Sequence, residues 1–170
     1  MTLKIRQCES RRDYDNLLGM LCDYIAELHS VDECVKPRGQ NELAAEYFYT
    51  EDTIFYVLYS DSKPAGFAII GEKSNCHPLA DIYIEEFYIK PDFRKTSCGR
   101  QLIGYVLNDM KPRYVCFYIL DKNRPAHEFW DKIFGDWQFV RMTDSLIADM
   151  NTDFYFYEKP YKKEVIKNDQ

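Results

Sequence analysis

The chain has 170 residues, of which 46% are hydrophobic and 29% charged, and it carries a formal net charge of −6. That profile describes one soluble domain large enough to bury a core. The acidic balance argues against a protein that grips nucleic acid through its phosphates.

The opening residues MTLKIRQCES hold no apolar h-region, and no run reaches the length of a membrane span. Residues 3–8 alternate and predict a first strand. Ser10 stands where an N-cap belongs, and Tyr14, Leu17, Leu18, Leu21, Ile25 and Leu28 follow at helical spacing. A polar break over 30–40 precedes a shorter helix near 41–49, beside the sheet, where it could line a substrate cleft.

Residues 53–59 and 65–70 predict an antiparallel strand pair, joined by the turn-forming stretch SDSKP. After a loop over 71–78, residues 81–89 predict the next strand. A helix follows with Leu102, Ile103, Val106, Leu107 and Met110 on one face, and Pro112 stops it. The apolar run 114–120 predicts a strand covered on both sides. A further helix opens at Asn123-Arg124-Pro125, with Ala126, Phe129, Trp130, Ile133 and Phe134 as its apolar stripe. Strands near 137–142 and 153–159 complete the order βααβββαβαββ, an α/β sandwich with a mixed sheet. The domain spans 1–160, and 161–170 is a polar tail. Residues 81–120 make a β–α–β crossover, long enough to join parallel strands.

The six cysteines lack CxxC spacing and read as reduced thiols of a cytoplasmic protein, several of them buried. The three histidines are isolated, so no metal site is expected. The 14 Tyr and 11 Phe fit either aromatic-lined pockets or strand-rich packing, and the second accounts for them more simply.

The stretch Arg94-Lys95-Thr96-Ser97-Cys98-Gly99 lies between the first crossover strand and its helix, where ligands of open α/β sheets bind. First-turn amides have no partner within the helix and carry partial positive charge. Small residues let a bulky anion approach them, and Arg94 and Lys95 add charge, which points to a phosphate or pyrophosphate. A solvated turn rich in small residues would look the same. Neither a Walker loop nor a G-x-G-x-x-G fingerprint is present.

With FYIKPDFRKTSCGRQL, where Arg94, Ser97 and Gly99 occupy motif positions, and NRPAHEFW, with Asn123, Ala126, Phe129 and Trp130, the sequence resembles the GNAT N-acetyltransferase superfamily. It is most similar to a branch of predicted bacterial members with no assigned substrate. The resemblance implies acetyl-CoA as co-substrate and a primary amine, on a small molecule or peptide, as acceptor. It also implies backbone amides around Phe87, Tyr88 and Ile89 that hold pantetheine and polarise the acetyl carbonyl, with a splayed strand end to free them. The loop from Arg94 to Gly99 then holds the pyrophosphate. Asn123 binds the pantetheine arm, unless it is simply a helix cap. Phe129 and Trp130 wall the cofactor, although their spacing makes them core residues first. Family members often dimerise, so a homodimer is an allowed partner.

Two departures stand out. Ser97 replaces the first motif glycine, a cost if that position needs φ above zero. Trp130 stands where many relatives have a tyrosine that protonates the leaving thiolate, so this helix supplies no such acid.

A lysine-like amine with a pKa of about 10.4 costs on the order of 4–5 kcal/mol to deprotonate at neutral pH. A carboxylate can take that proton directly or through water. Neighbours on a strand face opposite ways, so only one of Glu85 and Glu86 should face the cleft, and Glu86 is the candidate catalytic base. A salt-bridged structural pair is the competing reading. Tyr88, Tyr155 and Tyr157 are further candidates. Cys98 at a helix N-terminus could have a lowered pKa, but with no His or Asp partner it reads as a loop-packing residue. A non-catalytic acyl-CoA-binding sensor of the same fold is the alternative function.

Overall fold

A computed structural model describes residues 2–49, 52–71, 77–139 and 151–160. Seven strands form one mixed sheet: β1 (Leu3–Gln7), β2 (Thr53–Ser60), β3 (Lys63–Gly71), β4 (Ile82–Ile89), β5 (Tyr114–Leu120), β6 (Gln138–Phe139) and β7 (Thr152–Glu158). Their order is β1-β2-β3-β4-β5-β7-β6, and only β4 and β5 run parallel. The helices are α1 (Arg11–Val31), α2 (Gln40–Tyr47), α3 (Cys98–Met110) and α4 (Arg124–Phe134). This is the element order and the mixed α/β sandwich read from the sequence, with the crossover as its centre. The strand expected over 137–142 is seen as the short β6, and residues 140–142 and the tail lie outside the described residues.

Ser10 caps α1 as its position suggested. Its hydroxyl accepts from Asp13 N–H, and Asp13 returns a bond to the cap backbone. Asp13 also takes Arg6 at 2.7 Å and the Tyr59 phenol at 2.6 Å, tying α1 to β1 and β2. Burial works against its charge, but the bonds from Tyr59, Arg6 and Ser10 hold its carboxyl well below the ordinary carboxylate range.

Two apolar layers sandwich the sheet. One joins Leu17, Leu21 and Ile25 of α1 and Leu43 of α2 to Phe67 and Ile69 of β3. The other joins Leu102, Ile103 and Val106 of α3 and Trp130 and Phe134 of α4 to Ile84, Val115 and Phe117. Fully burying such side chains stabilises by about 1.5–3 kcal/mol each. Much of the aromatic content is sheet packing: Phe117 stacks on Tyr155 at 5.3 Å and near Tyr157 at 5.9 Å. Cys8, Cys98 and Cys116 are buried thiols. Among the described residues, no helix is long and apolar enough to cross a membrane.

Candidate active site

The site is built on the place where β4 and β5 part. Their pairing covers only Ile82–Val115, Tyr83–Cys116 and Ile84–Phe117, after which each strand runs on without the other. On its other edge β4 stays paired with β3 as far as Ile89. Lys90 N–H donates to Ala65 O at 2.9 Å. Strand alternation therefore gives the amides of Tyr88 and Lys90 to β3 and turns those of Phe87 and Ile89 toward the opening. The Ile89 carbonyl faces the same way, and Arg94 Nε donates to it at 2.7 Å. So of the three amides expected there, the structure offers two, and Tyr88 contributes a side chain instead.

A cleft of about 420 Å³ occupies this opening. Phe87, Phe93, Phe129 and Trp130 give it aromatic walls, Gly99 and Thr96 lie at the start of α3, and Asn123 and Ala126 at the start of α4. The aromatic walls are locked together. Phe87 stacks on Phe129 at 5.5 Å and meets Trp130 edge-on at 5.0 Å. Trp130 is otherwise core, 4.7 Å from Phe117. Gly99 is favoured by packing rather than by φ: a Cβ there would sit 3.0 Å from the Phe129 ring, which would have to give by a few tenths of an ångström.

The loop before α3 is organised differently from its sequence-level reading. The left-handed residue is Lys95, at φ 57°, whereas Ser97 is right-handed helical at φ −78°. Serine therefore bears no φ penalty in place of the motif glycine. The Ser97 hydroxyl accepts from Gln101 at 2.7 Å and does not line the cleft. Cys98 is wholly buried in the layer beneath α3, which is the loop-packing reading. Its amide is taken by the Thr96 hydroxyl at 3.2 Å, and that hydroxyl donates to Phe93 O. The first-turn donors left over are the amides of Ser97, Gly99 and Arg100. Asn123 caps α4, accepting from Ala126 N at 3.4 Å, and also lines the cleft.

Arg94 is not a free cation. Its guanidinium pairs with Glu27 of α1 at 2.6 Å and lies over the Tyr88 ring at 5.5 Å. Lys90, 4.0 Å from Asp23, makes a second link to the same helix. Lys95 and Lys132 are the remaining cations of the cleft wall.

The two glutamates depart from simple alternation. The β3–β4 register shifts between Ile69, opposite Glu86, and Ile70, opposite Ile84, leaving Glu85 as an extra residue. Ile84 and Phe87 both pack beneath α3 and α4, so Glu85 and Glu86 together fill the step that one residue would take. The expectation that they face opposite ways fails because of this bulge. Glu85 reaches toward Gly71, and Glu86 accepts from the Tyr47 phenol of α2 at 2.6 Å. Burial pushes the Glu86 carboxyl above its ordinary value, hydrogen bonding from Tyr47 and Tyr24 opposes this, and Glu85 adds to the rise. Glu86 does not itself line the cleft; Tyr24 does.

Tyr155 and Tyr157 do not reach the cleft: the first bonds His127 at 2.7 Å and the second is buried. The sequence reading missed Tyr24, Glu27 and Tyr47. Tyr24, Glu27, Leu28 and Val31 follow i, i+3, i+4, i+7 on α1 and line the cleft together. That stripe was the available signal, beside the core stripe already recognised.

The sequence pattern of the acetyltransferase (GNAT) family matches residues 21–136. The chain belongs to that family. The same fold is found in the PaiA N-acetyltransferase of Thermoplasma acidophilum, solved in complex with coenzyme A, at 19% identity and a TM-score of 0.67, covering 95% of this chain and 100% of that one. An N-acetyltransferase from Staphylococcus aureus shares it at 20% identity and a TM-score of 0.66, covering 93% and 98%. An acetyltransferase from Thermus thermophilus does so at 12% identity and a TM-score of 0.69, covering 92% and 96%. At such identities the likeness is one of fold. No curated protein matches the sequence. The resemblance to the GNAT superfamily and the α/β architecture read from the sequence are thus both borne out.

Proposed function

We propose that this GNAT chain is an acetyl-CoA-dependent N-acetyltransferase, in which a primary amine on a small molecule or peptide attacks the thioester directly while both substrates are bound. The observation that carries the reading is the parting of β4 from β5 over the aromatic cleft. It leaves the Phe87 and Ile89 amides as preoriented donors for the oxygen of a thioester lying there. The fold relative solved with coenzyme A supports the choice of donor.

In this reading the pantetheine arm lies along Phe129, Trp130 and Asn123. The pyrophosphate approaches the Gly99 and Arg100 amides at the start of α3, with Lys95 beside them. The acceptor enters from the side of α1 and α2, where Glu86, set back from the cleft wall, receives the amine proton through a water. Its raised pKa suits a base working nearer to neutrality.

The test is thiol release from acetyl-CoA with n-butylamine, putrescine, lysine and a short peptide with a free N-terminus. Release that needs an amine and yields one acetylated amine per thiol is the expected result. Tight acetyl-CoA binding with no release to any amine refutes the enzyme and favours the acyl-CoA-binding sensor.

A further inference from the structure

In the transferase reading the cofactor takes the α3–α4 face of the opening, and the acceptor meets the opposite face of the same strands. On β5, Val115, Phe117 and Ile119 pack into the layer beneath α3 and α4, so strand alternation turns Cys116 and Tyr118 the other way. Pairing with β4 ends at Ile84–Phe117. Tyr118 is therefore the first residue of β5 beyond the parting, and it lies on the face where the bulge puts Glu85 and Glu86.

Tyr118 is part of a ring cluster. Phe154 of β7 is its register partner, and the two ring centroids lie 4.9 Å apart, tilted by 41°. Tyr83 of β4 meets the Tyr118 ring edge-on at 6.1 Å. All three are half-buried, whereas Phe117 on the other face of β5 is covered. The rings form an aromatic floor one strand spacing, about 5 Å, to the side of the glutamates. The charge of this face has one sign. The described cations at the two ends of β5, Arg113 and Lys122, are each held by a carboxylate, Glu158 at 2.8 Å and Asp32 at 3.5 Å.

We propose that the acceptor is an arylalkylamine, with Tyr118 as the residue that selects it. The inference narrows the transferase reading above and rests on it. The amine nitrogen lies at the opening, on the Glu86 side, and its aromatic ring settles on Tyr118 and Phe154. A linker of about two carbons spans one strand spacing. A ring suits this floor better than an aliphatic chain, because offset and edge-on ring contacts add to the apolar area it buries. A carboxylate beside the amine would be set against Glu85 and Glu86, so the same face rejects α-amino acids by like-charge repulsion.

The experiment adds phenethylamine and phenylalanine to the amine panel above and measures kcat/KM at saturating acetyl-CoA for wild type, Tyr118→Leu and Tyr118→Phe. Wild type should favour phenethylamine over n-butylamine by roughly 30-fold, and over phenylalanine by at least about 10-fold. Tyr118→Leu keeps bulk and loses the ring, and should bring the first ratio below about 5, whereas Tyr118→Phe should retain it. Each ratio is read within one protein, so a general loss of activity cancels. A wild-type ratio near one overturns the assignment and leaves the transferase reading standing. Better turnover of phenylalanine, putrescine or the short peptide than of phenethylamine does the same, and so does a ratio that survives in Tyr118→Leu. Should Tyr118→Leu fail to fold, Phe154→Leu is put through the same comparison, and an unchanged ratio there overturns the proposal. Wild-type protein inert with every amine overturns the transferase reading, and this one with it.

Discussion

Replacing Gly66 by Ala puts a methyl group where β3 meets the end of β4. The new Cβ would lie 2.5 Å from the Tyr88 carbonyl oxygen and 2.6 Å from Ile89 Cδ1. An ordinary contact is about 3.5 Å, so the strands must part by roughly 1 Å. Ile89 Cδ1 can rotate away, but the Tyr88 carbonyl is backbone in the middle of the sheet. Overpacking of this kind costs about 3 kcal/mol, because no side-chain adjustment relieves it. The shift also moves the Phe87 and Ile89 amides, so acetyl-CoA affinity should fall about tenfold, the equivalent of 1.4 kcal/mol. Urea denaturation measures the first effect and calorimetry the second. A Gly66→Ala protein as stable as wild type, with unchanged affinity, would refute the claim that the β3–β4 contact sets the opening.

Glu86→Gln should lower kcat by at least about 100-fold, leave acetyl-CoA binding within about twofold, and abolish the acid limb of the pH–rate profile. In wild type that limb should sit above the ordinary glutamate pKa of about 4.3, because burial raises Glu86 and activity is lost as pH falls through the raised value. Asp13→Ala should destabilise by about 2 kcal/mol near neutrality, since it leaves the buried Tyr59 O–H without its acceptor and removes one side of the α1 capping box. Asp13 is depressed in the folded state; its contribution is present above the unfolded value of about 3.9 and is lost as pH falls from there toward the depressed folded value. The variant's stability should change less over that acid range, as followed by urea titrations at stepped pH. Glu27→Gln releases Arg94 and should tighten acetyl-CoA binding roughly 2- to 5-fold at low salt, an effect calorimetry in rising salt should erase.

Local patterns made the framework readable. Ser10 marked the start of α1, Pro112 the end of α3, and Asn123-Arg124-Pro125 the start of α4, because capping and proline effects act within a turn. The run 114–120 read as a doubly covered strand, and Val115 and Phe117 are buried within it. The parts of the site set by distant contacts were not legible. Arg94 looked like a free cation, yet its partner Glu27 lies 67 residues earlier. Glu85 and Glu86 looked like alternating neighbours, but a bulge depends on the pairing of two strands, which a single strand's sequence does not reveal. Ser97 looked costly because the motif's need for a special backbone was assigned two residues too late; Lys95 carries it. Tyr24 was hidden on a helix whose stronger stripe faces the core.

The central claim is that coenzyme A binds in the parting of β4 and β5 with its pyrophosphate at the start of α3. Calorimetric titration of acetyl-CoA into wild type and Gly99→Glu tests it most directly, with circular dichroism to show that the variant is folded. Glutamate at this position crowds Phe129 and sets negative charge against the pyrophosphate. The account predicts saturable one-to-one binding to wild type that the folded variant loses. Equal binding to both proteins would place the cofactor elsewhere and contradict it.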